Sequence, residues 1–202
     1  MIGIIDYGMG NLMSVQNALN NIYVESAIVK NPKEVSSFKS IILPGVGSFG
    51  KAMDNLNKDG WTSEIQDFAS EKPILGICLG MQLLFSLSNE GGENHGLNLI
   101  PGLVKKIPSE KGLILPHVGW NDLKIVKEVD ILEGINQEID VYFVHSYECL
   151  PDDNTHVICT TSYGKEIVAG VKFKNLYGFQ FHPEKSQPSG LKILENFSKI
   201  TF

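Results

Sequence analysis

The stretch Gly76-Ile77-Cys78-Leu79-Gly80 joins an apolar run to an amphipathic one. The run that begins at residue 73 is short and partly β-branched, which is typical of a buried strand, whereas residues 81–87 carry leucines at helical spacing. Cys78 is therefore predicted to lie on a strand-to-helix turn. Glycines two positions to either side permit a sharp turn that projects the cysteine above the sheet, as in the nucleophile elbow of serine hydrolases. The unpaired N–H groups and positive dipole at a helix start favour a charged sulfur, although a small buried structural cysteine is the alternative.

Strand-like and helix-like runs alternate through the first half of the chain. Strands are predicted over 2–5, 24–29, 40–43 and 73–77, helices over 12–21, 49–56, 61–70 and 81–87, and a short helix or turn over 33–37. Such alternation predicts a doubly wound, mainly parallel central sheet flanked by helices. From about residue 99 to 174, short β-type runs divided by Pro, Gly, Asn and Asp predict an additional smaller antiparallel β element, and a last helix is predicted over 188–200. We expect an α/β fold with a single domain over 1–202.

The charge of the chain argues against a nucleic-acid partner. The net charge is −6, the pI is near 5.4, and no lysine run forms a basic patch. All 17 basic residues are lysines. Without arginine, the chain lacks the planar fork best suited to holding phosphate, so it is a poor candidate for anchoring a sugar phosphate by itself.

The cysteines and histidines suggest neither a disulfide framework nor a metal site. Three cysteines, at 78, 149 and 159, are an odd number at unsuitable spacings, and Cys149 and Cys159 are interpreted as structural. The five histidines lack paired ligand spacing, so we expect no metal and no cofactor. The N-terminus shows neither a basic segment nor a cleavage site, which leads us to expect a cytoplasmic location and no membrane span.

Two glycine-rich loops follow predicted strands. Residues 6–11, Asp-Tyr-Gly-Met-Gly-Asn, resemble the start of a nucleotide-binding unit, but the third glycine of that fingerprint is absent because position 13 is Met. Residues 44–50 contain three glycines, and the missing Gly-Lys-Ser/Thr ending argues against a phosphate loop. The second loop is suited to exposing backbone N–H groups to an anion beside Cys78, with a plain tight turn as the alternative.

A histidine and a glutamate complete a candidate catalytic set. Phe179 and Phe181 alternate as on a strand, and Pro183 ends the ladder directly after His182. In extended backbone, residues two apart point to the same side, so Glu184 can reach the His182 ring. A cysteine on an elbow, a histidine and a carboxylate form a nucleophile, a base and an orienter.

These motifs together resemble one enzyme family, the class I glutamine amidotransferases, over residues 2 to about 197. The resemblance rests on Pro-Gly-Val-Gly at 44–47, Gly-Ile-Cys-Leu-Gly-Met-Gln at 76–82 and Gly-Phe-Gln-Phe-His-Pro-Glu-Lys at 178–185. Within the family, the motifs at 6–11, 116–121 and 143–147 are similar to the glutaminase subunits of imidazole glycerol phosphate synthases.

The resemblance implies hydrolysis of L-glutamine to glutamate and ammonia by Cys78, His182 and Glu184, through a γ-glutamyl thioester. It implies an oxyanion hole formed by backbone N–H groups of Leu79, Val46 and Gly47, the last two after a local rearrangement. It also implies that the bound glutamine is held by Gln82, Glu90, Ser146 and Tyr147.

The resemblance further implies a partner that uses the ammonia. In the family this partner is a (β/α)8-barrel cyclase subunit in a heterodimer that makes imidazole glycerol phosphate for histidine biosynthesis. The residues at family positions near that interface are Asn11, Trp120, Tyr142 and Lys185. The alternatives are a related glutaminase that supplies another synthase, such as one aminating a sugar for a surface glycan, and an inactive α/β regulatory module. A cysteine peptidase is disfavoured because its usual sequence surroundings are absent.

Overall fold

The computed structural model describes residues 1–108, 113–136 and 139–200. The first half contains β1 (Ile2–Ile5), α1 (Leu12–Asn21), β2 (Ser26–Val29), β3 (Ser40–Gly45), α2 (Phe49–Lys58), α3 (Trp61–Ala69), β4 (Ile74–Cys78) and α4 (Leu79–Leu83). The second half contains β5 (Phe85–Ser88), β6 (Asn94–His95), β7 (Ile100–Lys106), β8 (His117–Ile125), β9 (Ile139–His145), β10 (Tyr147–Pro151), β11 (Val157–Tyr163), β12 (Lys165–Phe173), β13 (Leu176–Phe179) and α5 (Gln187–Lys199). Four 3-10 turns lie at Pro32–Ser37, Asp130–Leu132, Asn154–His156 and Pro183–Lys185.

The large sheet has two halves of different strand direction. Its order is β2-β1-β3-β4-β13-β12-β11-β8-β9. The strands from β2 to β13 pair in parallel, and those from β13 onward pair antiparallel. A second sheet has the order β10-β7-β5-β6. The predicted α/β class is confirmed. Antiparallel strands extend the main sheet, but the smaller sheet is mixed and not purely antiparallel as predicted, because β5 and β7 pair in parallel while β10–β7 and β5–β6 pair antiparallel.

Helices cover both faces of the parallel half because alternate strand residues point in opposite directions. Ile41 and Leu43 face a core formed with α2 and α3, while Ile42, between them, faces α1 and α5. All three side chains are fully buried. Apolar runs buried on both faces are typical of parallel strands, which is why the sequence shows them as continuous rather than alternating.

The helix predicted over 81–87 is wrong in its second half. The helix after Cys78 ends at Leu83, and Phe85 begins a strand. The carbonyls that would continue the helix are bonded elsewhere: Leu83 accepts from the Leu97 N–H at 2.8 Å, and Leu84 accepts from Leu99 and Ile100 at 2.9 Å each. Partners that are distant in sequence override the local helical spacing.

Most of the remaining boundaries agree with the sequence prediction. The helix over 12–21 is confirmed, β3 extends two residues further to Gly45, and 32–37 forms a 3-10 turn. Residues 109–112 and 137–138, within the predicted β-rich region, lie outside the described residues. In the described ranges, no helix combines the length and apolar character that a membrane span requires.

Candidate active site

Cys78 sits on a strained turn between β4 and α4. Its backbone has φ 54° and ψ −111°, a conformation that non-glycine residues rarely adopt and that clusters at functional sites. The flanking glycines permit close packing around it. A Cβ on Gly80 would lie 1.7 Å from the Leu43 carbonyl oxygen, and one on Gly76 would lie 2.7 Å from the Gly80 backbone. The predicted elbow is therefore present, with the strained angle on the cysteine itself.

His182 and Glu184 follow β13, the strand that pairs with β4. His182 Nδ1 lies 2.8 Å from Glu184 Oε1, and only 2% of each side chain is exposed. The histidine backbone is fixed as well, since its N–H donates to the Tyr142 carbonyl at 2.9 Å and its carbonyl accepts from the Ser186 hydroxyl at 2.6 Å. The imidazole is thus oriented by its carboxylate partner, and the His182 backbone is held by β9 and Ser186.

The electrostatics of His182 favour its charged form. Burial lowers the pKa of this imidazole, but its interactions with Cys78 and Glu184 outweigh burial and raise the pKa to about 9. The buried Nε2 makes no hydrogen bond to any group in the described ranges. Because Glu184 occupies Nδ1, Nε2 is the nitrogen left for exchange of a proton with Cys78.

A cavity of about 260 Å³ lies against Cys78. It brings together the cysteine and all seven residues predicted for the oxyanion hole and the substrate: Val46, Gly47, Leu79, Gln82, Glu90, Ser146 and Tyr147. Pro116, Val144 and His145 complete its lining. A larger cavity, of about 460 Å³, contains none of the predicted site residues and is lined by residues 125–135.

The Glu90 carboxylate connects the cavity with helix α2. Its Oε2 accepts a hydrogen bond of 2.9 Å from the N–H of Phe49, the first residue of that helix. An acidic group at a helix N-terminus is stabilised both by the free N–H groups and by the helix dipole. The predicted oxyanion loop, residues 44–47, leads through Ser48 into α2. Glu90 therefore fixes the C-terminal end of this loop.

The other end of that loop is held by Tyr7, a residue to which the sequence motifs gave no role. The buried Tyr7 hydroxyl donates to the Pro44 carbonyl at 2.9 Å. Within the loop, Gly47 has φ +112°, a conformation that favours glycine, and Val46 is 43% exposed. The loop is therefore anchored at Pro44 and open at Val46.

The sequence motifs also gave no role to Gln180, although its side chain contacts Cys78. Its Nε2 lies 3.8 Å from Cys78 Sγ, and its Oε1 accepts a 3.0 Å hydrogen bond from Gln82 Nε2. Gln180 is completely buried between Phe179 and Phe181. A buried amide between two apolar residues is the signal that would have identified it, because such a group needs a specific partner.

Three of the four predicted interface residues form one surface cluster. Trp120 and Tyr142 pack edge to face with ring centroids 6.0 Å apart, and the Lys185 ammonium lies 5.5 Å from the Tyr142 ring centroid. Trp120 is 47% exposed. Asn11 instead caps α1 by accepting the Ser14 N–H at 3.3 Å, and α1 packs against the 3-10 turn that carries Lys185.

The chain matches the family described as glutamine amidotransferase class-I over residues 3–200. It is 50% identical to the imidazole glycerol phosphate synthase subunit HisH of Sulfurimonas denitrificans, with 98% of each chain covered. It is 46% identical to the subunit of the same name in Moorella thermoacetica, covering 98% of this chain and 94% of the relative. Among solved structures, PurLQS from Thermotoga maritima superimposes with a TM-score of 0.76 at 20% identity, covering 97% of this chain and 96% of that chain, which supports the fold.

Proposed function

This chain belongs to the class I glutamine amidotransferases, and on that premise we propose that it is the glutaminase subunit of an imidazole glycerol phosphate synthase in histidine biosynthesis. It hydrolyses L-glutamine to glutamate and ammonia and passes the ammonia to a partner subunit. The 202 residues act as one glutamine amidotransferase domain. The observation that carries the chemistry is the cavity that Cys78 shares with the residues for substrate and oxyanion, with the His182–Glu184 pair following the strand that pairs with β4.

The reaction begins with attack of the Cys78 sulfur on the side-chain amide carbon of glutamine while His182 Nε2 holds the thiol proton. A C–S bond forms, and the negative charge moves to the amide oxygen. When the tetrahedral intermediate collapses, the C–N bond breaks and His182 returns its proton to the leaving nitrogen, giving ammonia. With a pKa of about 9, His182 carries that proton at neutral pH.

Hydrolysis of the thioester uses the same residues in reverse. His182 takes a proton from water, the resulting hydroxide adds to the acyl carbon, and cleavage of the C–S bond releases glutamate while the proton returns to sulfur. Glu184 accepts from Nδ1–H throughout, which fixes the tautomer and stabilises the imidazolium. Backbone N–H groups of Leu79, Val46 and Gly47 hold the oxyanion, and removal of one such donor typically costs about 100-fold to 1000-fold in turnover.

The charges of the cavity suit an amino acid substrate. Glu90 is the acidic side chain among the described lining residues, and it pairs with the α-ammonium of glutamine. Gln82 and the Ser146–Tyr147 backbone bind the remaining polar atoms of the α-carbon end. The γ-amide is then directed to Cys78, since the nucleophile lies in the same cavity.

The product requires a partner because ammonia released into water at neutral pH becomes mostly ammonium, which is no longer a nucleophile. We place a (β/α)8-barrel cyclase against the cluster of Trp120, Tyr142 and Lys185, with Asn11 at the same interface. The Tyr142 ring lies 6.3 Å from the His182 ring, so this surface adjoins the triad. The absence of arginine fits a subunit that leaves phosphate binding to its partner.

The experiment is a glutaminase assay on the chain co-purified with the cyclase of the same organism, with and without the cyclase ligand. We expect glutamate release that Cys78→Ala abolishes and that Cys159→Ala retains, because Cys159 is a buried core residue outside the cavity lining. Equal rates for Cys78→Ala and the parent would overturn the mechanism. Binding to a sugar-aminating synthase in place of the cyclase would overturn the histidine assignment, and no release with any partner would identify an inactive module.

A further inference from the structure

Two buried histidines beside the cavity have no role in the mechanism above. His117 on β8 and His145 on β9 are direct cross-strand partners. They are 3% and 5% exposed, and His117 Nδ1 lies 3.0 Å from His145 Nε2. His145 also lines the cavity.

The hydrogen bonds around this pair show which ring nitrogens carry a hydrogen and which accept one. His145 Nδ1 lies 2.8 Å from the Tyr147 carbonyl oxygen, which only accepts, so Nδ1 carries the hydrogen. Burial lowers the pKa of both imidazoles, that of His145 to about 4, and both rings are therefore neutral at physiological pH. In a neutral ring with Nδ1–H, Nε2 is an acceptor, and His117 must donate to it from its own Nδ1.

The hydrogen bonds made by Asn121 agree with these proton positions. His117 Nε2 is left as an acceptor, and Asn121 Nδ2 lies 3.2 Å from it. The same amide nitrogen donates to the Ser162 carbonyl at 2.9 Å, while Asn121 Oδ1 accepts the Asp122 N–H. The bonds thus run in one direction, from Asn121 through His117 and His145 to the Tyr147 carbonyl.

This series of hydrogen bonds ends on the Ser146–Tyr147 backbone, the segment that we assign to binding of the substrate glutamine. The Ser146 carbonyl accepts from the Ile107 N–H at 2.9 Å, and the Tyr147 carbonyl accepts from His145, so both carbonyls of the segment are held by protein donors. C=O and N–H point in opposite directions in a trans peptide. The bond to the Ser146 carbonyl therefore fixes the Tyr147 N–H, which belongs to the same peptide unit, and the bond from His145 to the Tyr147 carbonyl closes a ring that contains the Ser146–Tyr147 backbone and restrains its torsion angles.

We propose that His145, supported by His117, is a positioning residue that holds the Ser146–Tyr147 backbone in the orientation that binds the α-carboxylate of glutamine. This role rests on the proposed glutaminase function. It acts through binding of the substrate rather than through the thiolate chemistry.

The deduced tautomers allow a test with matched amide substitutions. Asparagine places its amide nitrogen close to the position of Nδ1, whereas glutamine places it close to Nε2. His145→Asn keeps a donor to Tyr147, and His145→Gln loses it. At position 117 the donor is also Nδ1, so His117→Asn again keeps the bond that His117→Gln loses. Both substitutions at position 117 remove the stacking on Tyr163, whose ring centroid lies 3.9 Å away, and this loss is therefore common to the pair.

The measurements are KM and kcat for glutamine in the cyclase complex, together with the Kd of glutamine in the same complex carrying Cys78→Ala. We expect KM and Kd to rise about tenfold in His145→Gln, as for loss of one buried hydrogen bond, and kcat to change less than threefold. His145→Asn and His117→Asn are expected to stay within about threefold of the parent in KM and Kd.

Equal KM values for the Asn and Gln variants, or an effect confined to kcat or to thermal stability, would overturn the proposal. If the parent complex binds glutamine without hydrolysing it, the glutaminase assignment fails. The Kd values of the four variants still decide the role of His145 in that case.

Discussion

The two halves of the large sheet contribute different parts of the cavity. The parallel half carries the proposed catalytic groups, since Cys78, His182 and the 44–47 loop all lie at the carboxyl ends of its strands. The antiparallel half supplies Val144, His145 and Ser146 on one wall, together with the exposed Trp120. The proposed reacting groups are therefore fixed by strand ends that are close in the core, whereas part of the proposed substrate and partner contacts comes from the antiparallel strands that extend the sheet. Variants in each half should fail in different ways.

The largest effect is expected from Gly80→Ala in the parallel half. The added Cβ would lie 1.7 Å from the Leu43 carbonyl oxygen, so α4 must move away from β3. We expect loss of glutaminase activity by more than about 1000-fold, because the elbow and the oxyanion N–H of Leu79 move together, and a loss of unfolding free energy of about 3 kcal/mol or more. Denaturant unfolding and a glutamate assay measure the two effects.

Gly60→Ala is the matched control. Gly60 has φ +78°, but a methyl group added there would meet open space, so the cost is the backbone strain alone, about 1 kcal/mol. Similar losses of stability in the two variants would show that close packing of α4 on β3 is not what the glycine at position 80 provides.

Glu184→Gln tests the electrostatics of the parallel half. Removing the carboxylate removes one of the two groups that raise the pKa of His182, so we expect this pKa to fall from about 9 and turnover to drop about 100-fold to 10,000-fold. Titration of the His182 ring by NMR and steady-state kinetics are the measurements. An unchanged titration midpoint would contradict the pairing.

The raised pKa of His182 also predicts how the stability of the protein depends on pH. Because the pKa of His182 in the folded protein lies above the unfolded value near 6.5, its stabilising contribution is complete below about pH 6.5 and is lost as the pH rises through about 9. Glu184→Gln should flatten this part of the curve of unfolding free energy against pH. A parent curve without any decline from pH 6.5 to 9.5 would count against the raised pKa.

Trp120→Ala tests the antiparallel half. An exposed tryptophan packed on Tyr142 is a typical interface anchor, and its truncation costs about 2 kcal/mol of binding, or about 30-fold in the Kd of the cyclase complex. Unfolding of the isolated chain should change little. Val126→Ala is the control, since Val126 is equally exposed, at 47%, beyond the other end of β8. Equal effects on affinity would remove Trp120 from the interface.

The sequence predicted the parallel half better than the antiparallel half, for a physical reason. The elbow at Cys78 and the pair of His182 and Glu184 depend on neighbours within a few residues, so spacing reveals them. The contact between His117 and His145 depends on the register of two strands 28 residues apart, which no local pattern encodes. Likewise, α4 ends at Leu83 because remote N–H groups take its carbonyls. The roles of Tyr7 and Gln180 were missed because each is a single polar contact made across the core.

The smallest effect is expected from Tyr7→Phe, which returns to the parallel half but leaves the triad intact. The substitution removes the hydrogen bond that holds the Pro44 carbonyl at the start of the oxyanion loop. We expect a loss of about 1 kcal/mol in unfolding free energy and a decrease of about threefold to tenfold in kcat, with little change in KM, because the loop acts on the oxyanion and not on the bound substrate. Tyr23→Phe is the control, since Tyr23 is 96% exposed. If Tyr7→Phe raised KM and left kcat unchanged, the loop would belong with the substrate-binding wall, and the division of roles between the two halves of the sheet would fail at Pro44.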